Sequence, residues 1–175
     1  MGRASLILTL GWMLPAHLWG QSLEHRIAAL GSGNIQLSFA GRPGICGNGL
    51  NNISIAQAND EWVADCEAQP VRVALRVHNG RVVSIRTYVG GRWRSSTSVN
   101  DFGTVRPQDV AAYLLKLAAH RGELSGDPLL PATLADSVTI WPSLLRLART
   151  RQLPEERRRS AIFWLGQADR LLEPT

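Results

Sequence analysis

Lysine is almost missing from these 175 residues: among 19 basic side chains only Lys116 is one. The net charge of +5 and the pI near 10.2 therefore rest on arginine. Such a balance permits anionic lipid, acidic polysaccharide or nucleic acid as a partner. Acid is missing locally as well, since no Asp or Glu lies between Ala68 and Asn100. Histidine is scarce, and none of the four stands in a motif with a serine or cysteine, which argues against a nucleophilic triad. Cysteine is limited to Cys46 and Cys66, with no CxxC or HxxxH spacing, so no metal and no cofactor is expected. "GICGNG" is glycine-rich but matches neither GxxxxGK[ST] nor GxGxxG. Beyond the first twenty residues no apolar run approaches the roughly 20 residues that cross a bilayer, so the mature chain should carry no transmembrane segment.

The start of the chain suggests a compartment. Residues 1–20 place Arg3 before an apolar stretch from Ala4 to about Leu14, then Pro15 and a small Gly20, the pattern of a secretory signal peptide cleaved near Gly20. The protein is then expected to be secreted or periplasmic, and nucleic acid drops out as a partner. In an oxidising space Cys46 and Cys66 are expected to form one disulfide, closing a loop of about 20 residues for on the order of 3 kcal/mol.

Residues 21–104 read as a small, antiparallel, β-rich region. "NIQLSFAG" alternates Ile35, Leu37 and Phe39 with polar residues, "ISIA" and "EWVADCE" are short strand candidates, and "GRPGICGNGLNN" reads as loop. In "VRVALRVHNGRVVSIRTYV", Val71, Val73, Leu75 and Val77 share one face, and Val83, Ile85 and Val89 keep the same parity. Pairing 77 with 83 and 75 with 85 aligns the two apolar sets, which predicts a three-residue loop Asn79-Gly80-Arg81 with Gly80 as a bulge glycine. The solvent face of that hairpin would carry Arg72, Arg76, His78 and Arg86, with Arg92 beyond it, a candidate anion-binding surface.

From Pro107 the composition turns to helix formers, with starts marked by Pro107 and Pro154 and acids at Asp109, Glu155 and Glu156. Leu114, Leu115, Leu117 and Ala118 recur thirty residues later as Leu144, Leu145, Leu147 and Ala148, the periodicity of a stacked helix-pair repeat. In "PEERRRSAIFWLGQ", alignment on Leu165-Gly166 places Ala161 at a small inner position and Arg158 at a structural arginine. Arg157 stands where valine is usual, and Trp164 where alanine is. Over about 107–170 this resembles bacterial exported HEAT-repeat proteins. The resemblance implies an α+β chain in which residues 105–175 form two HEAT-like helix pairs, acting as a protein-binding scaffold without chemistry of its own.

The consecutive apolar residues Ile162, Phe163, Trp164 and Leu165 advance about 100° each, so one neighbouring helix cannot cover them all. Phe163 and Trp164 are thus candidate partner contacts. Three functions follow as expectations: a non-enzymatic exported interaction scaffold, a small exported hydrolase, or a binder of an anionic envelope polymer or lipid. The hydrolase would use the Gly/Asn loop with Asp60, Glu61, Asp65 and Glu67. The anion binder would use Arg72, Arg76, Arg86 and Arg92.

Overall fold

Period-two apolar alternation builds the centre of the molecule. The computed structural model describes residues 22–50, 52–55 and 69–172. In chain order the elements are α1 (Leu23–Ala29), β1 (Gly33–Ala40), β2 (Ile45–Gly47), β3 (Ile53–Ile55), β4 (Pro70–His78), β5 (Arg81–Val89), β6 (Val99–Thr104), α2 (Pro107–Ala118), α3 (Leu129–Thr133), α4 (Trp141–Arg149) and α5 (Glu155–Leu172). Four strands form a sheet in the order β5-β4-β1-β6, and β2 pairs with β3 in a small second sheet. Ile35, Leu37 and Phe39 of β1 meet Leu75, Val73 and Val71 of β4 across the antiparallel pair, all of them buried. Each such side chain contributes about 1.5–3 kcal/mol of apolar burial.

The sheet is mixed, not antiparallel throughout, because β6 runs parallel to β1, with Asn34 opposite Val99 and Gln36 opposite Asp101. A second correction concerns "GRPGICGNGLNN", which is not all loop: Ile45–Gly47 is β2, and Ile45 is fully buried. Cys46 lies on β2, opposite Ser54 of β3. Cys66, its expected partner, the acids from Asp60 to Glu67 and the signal-peptide residues lie outside the described residues.

The hairpin turn differs from the three-residue loop expected. Val77 pairs with Val82 and His78 with Arg81, leaving a two-residue Asn79-Gly80 turn. Both residues have positive φ, 51° and 71°, as the type I′ hairpin turn requires. Alignment is restored one step later, because Arg76 pairs with Ser84 and Leu75 with Ile85, so Val83 is an extra residue, a β-bulge. Val82 takes the inner place that parity assigned to Val83. The bulged Val83 carbonyl accepts from the Ser125 N–H, and the Ile85 N–H donates to the Ser125 carbonyl, which docks a distant loop on the edge of β5.

The expected pair of HEAT-like hairpins is not present. The helices are short and do not stack as a solenoid. Val110, Ala111 and Leu114 of α2 belong to the core beneath the sheet, together with Ile35, Leu75 and Ile85. Leu144 and Leu147 of α4 instead join Leu153, Ala161 and Trp164 in a second core. The thirty-residue period thus records one amphipathic spacing used twice against different surfaces. Among the described helices α4 packs along α5, while α3, five residues long, packs on α2 and also touches α5. Arg157, not Arg158, carries the visible structural contact: its Nη1 donates to the Leu117 and Ala118 carbonyls, closing the C-terminal end of α2.

Candidate anion-binding face

Because β-strand residues alternate, the face of the sheet away from its core is set by the even positions of β4: Arg72, Ala74, Arg76 and His78. The bulge at Val83 brings Arg81 to this side, directly opposite His78, and keeps Ser84, Arg86 and Tyr88 there. Arg76, His78, Arg81 and Arg86 are exposed. Three successive cross-strand rows along the hairpin therefore hold Arg81, then Arg76, then Arg86. Rows two residues apart are about 7 Å apart along a strand. Among the described residues no carboxylate makes an ion pair with any of the three.

Arg72 shares the parity of Arg76 but not its environment. It is buried, at 6% exposure. Its Nε donates to the Gly90 carbonyl at 2.6 Å and its Nη2 to the Gly49 carbonyl at 2.8 Å. The guanidinium lies over the rings of Trp93, at 4.7 Å, and Tyr88, at 5.3 Å. Burial lowers its pKa from the ordinary arginine value, opposed by Tyr88. A Cβ on Gly91 would stand 2.9 Å from Nη2, so the loop reaches Arg72 only because no side chain intervenes. Arg72 joins the Gly49 loop to the end of the hairpin and is withdrawn from the basic surface. Arg92 is exposed, just past this junction.

The negative end of the same face is remote. Asp101 on β6 lies opposite Gln36, itself opposite Ala74 and then Arg86, so three strand spacings, roughly 14 Å, separate Asp101 from Arg86. That exceeds a screening length of about 10 Å at 0.1 M salt. The Asp101 carboxylate accepts from the Gly103 N–H at 2.8 Å, which, with a hydrogen bond from Gln36, holds its pKa below the usual value.

The expected partner contacts separate. Trp164 is 8% exposed and packs in the second core, its Nε1 donating to Asp127 Oδ2 at 3.3 Å. The same oxygen accepts from Ser160 Oγ at 2.7 Å, while Oδ1 accepts from the Leu129 N–H that opens α3. Asp127 is thus a hub that the sequence reading missed, and "SGDPLL", an acid just before a proline-started helix, was its only local sign. Phe163 and Ile162 remain outside, 56% and 58% exposed. The apolar run does spread around its helix as the 100° geometry requires.

The Gly/Asn loop near Cys46 shows structural bonding: Asn48 Oδ1 accepts from the N–H groups of Leu50 and Asn52. Among the described residues no three His, Cys, Asp or Glu side chains come together as a metal site. Among them, too, no helix is long and apolar enough to cross a membrane. No protein-family model matches the chain, and no curated protein or solved structure is similar enough to it to count as a match.

Proposed function

We propose that this chain is a non-catalytic, exported binding module that holds an anionic polymer of the cell envelope along the β4–β5 hairpin. The observation that carries this reading is the line of exposed Arg81, Arg76 and Arg86 on one sheet face, at steps of about 7 Å, with no described carboxylate paired to them. A polymer with a charge on each repeating unit can satisfy such a ladder, whereas a single small anion meets one rung. Arg92 extends the positive surface past the junction held by Arg72. Export rests on the pattern of residues 1–20.

A protein partner at α5 is less well supported. Among the described residues of α5, Ile162 and Phe163 are the exposed large apolar side chains and offer on the order of 200 Å² of surface, about a quarter of the ~800 Å² that one side of a standard interface buries. For the hydrolase alternative, the described part of the Gly/Asn loop is tied up in structural bonds, to itself and to Arg72 and Gln69, and the acids from Asp60 to Glu67 lie outside the described residues.

The test is binding of dextran sulfate, with neutral dextran as control. Wild type should bind the sulfated polymer in a salt-sensitive way, and the double variant Arg76→Ala/Arg86→Ala should lose about tenfold or more in affinity while keeping its unfolding temperature. Equal binding of neutral dextran, or unchanged affinity in the double variant, would sink the proposal.

A further inference from the structure

None of the residues of the basic sheet face lines the cleft between α1 and α2. This open cleft of about 430 Å³ runs between these helices and the turn that leads from β6 into α2. Two ion pairs border it. Lys116 Nζ sits 2.7 Å from both Glu24 carboxylate oxygens. Arg106 grips Asp109 with two parallel bonds, Nε to Oδ2 at 2.8 Å and Nη2 to Oδ1 at 3.1 Å. Both carboxylates of the cleft are therefore occupied by these cations, and Arg26, the third cation in its wall, has no carboxylate left to it.

Arg26 is held in place differently. Its guanidinium lies 4.1 Å from the centre of the Phe102 ring, an arrangement that occupies one face of the group and leaves its N–H edge available. Tyr113 completes the wall, half-buried, with no described hydrogen-bond partner for its hydroxyl. Burial, with Glu24 nearby, pushes the Tyr113 pKa up to about 12, so the phenol stays a neutral donor at physiological pH. The cleft thus offers one cation in excess, a neutral O–H donor and an apolar wall from Val105, Ala112 and the Tyr113 ring.

We infer that this cleft binds a small organic carboxylate, its head group taken by Arg26 and the Tyr113 hydroxyl and its apolar body laid against Val105 and the Tyr113 ring. The volume falls in the range of small-molecule sites. A neutral ligand of the same shape would leave the Arg26 edge unmatched, and a dianion would exceed the single surplus charge. The site is independent of the basic sheet face, so either can fail alone.

Benzoate is the probe, with benzamide as its neutral isostere, followed by amide NMR shifts of the full chain. Benzoate should give saturable shifts centred on Arg26, Ala112 and Tyr113, and benzamide should not. Arg26→Gln should weaken binding about tenfold, and Tyr113→Phe about threefold, the latter keeping the ring and so the packing. Unfolding temperatures of both variants check that each is folded. Equal binding of benzamide, shifts that map elsewhere, no saturation up to about 10 mM benzoate, or unchanged affinity in a folded Tyr113→Phe variant would each overturn the inference.

Discussion

Replacing Arg72 by alanine separates a structural arginine from a ligand-binding one. The substitution removes two hydrogen bonds from a charged donor, to Gly90 and Gly49, and leaves those carbonyls to find new partners. Each lost bond of this type costs about 1.5–3 kcal/mol. Loss of the stack on Trp93 and Tyr88 adds about 0.5–1 kcal/mol. Relaxation and water entry return part of this, so the net cost should be about 3–5 kcal/mol, at the upper end for single substitutions. In a chain of this size that lowers the unfolding temperature by on the order of 10 °C. Arg72→Lys retains the charge and one donor direction but not the planar fork, and should recover less than half of the loss. The assay is urea unfolding followed by Trp fluorescence, which also reports on Trp93. An Arg72→Ala protein within about 0.5 kcal/mol of wild type, with weakened polyanion binding, would refute the structural role.

Other substitutions discriminate along the same lines. Trp164→Ala should cost about 3–5 kcal/mol in urea unfolding because it empties the second core and releases Asp127, whereas Phe163→Ser should cost only about 1 kcal/mol, from its edge contact with Trp164, and Ile162→Ser should stay within about 0.5 kcal/mol. Gly80→Ala should cost about 1 kcal/mol, from φ of +71° alone, since the nearest atom to an added Cβ is the Ala28 carbonyl oxygen at 3.6 Å. For Asp101 the folded pKa lies below the ordinary 3.8, so its stabilisation is present above that value and lost as pH falls through the lowered one. Asp101→Asn should therefore flatten the loss of stability below about pH 4, as read from acid titrations of the unfolding midpoint.

The central strands were legible because β1 and β4 alternate cleanly, as β5 does beyond its bulge, and the helix starts were marked by Pro107, Pro154 and their acids. The turn was misread because Val82 and Val83 are the same residue type. Parity alone cannot say which of them is the extra residue when Ser125, forty positions on, holds the bulge. Strand β6 escaped notice because "VNDFGT" is polar and pairs on one side only, as an edge strand can. The helices were found but not their packing, since apolar spacing is the same whether the facing layer is a sheet or another helix. Arg72 and Arg76 are indistinguishable by position in the strand. The separating signal was "YVGGRW", a glycine pair that lets a neighbouring loop close over one of the two arginines. The two-residue turn and the bulge together also put Arg81 on the basic face instead of in the predicted loop.

The salt dependence of polyanion binding tests the central claim most directly. With dextran sulfate titrated at several salt concentrations, the slope of log affinity against log salt should fall by about one for each of Arg81→Ala, Arg76→Ala and Arg86→Ala added in turn. Arg72→Ala should leave the slope unchanged in whatever fraction remains folded. A slope that keeps its wild-type value when Arg81, Arg76 and Arg86 are all gone would contradict the assignment of this face.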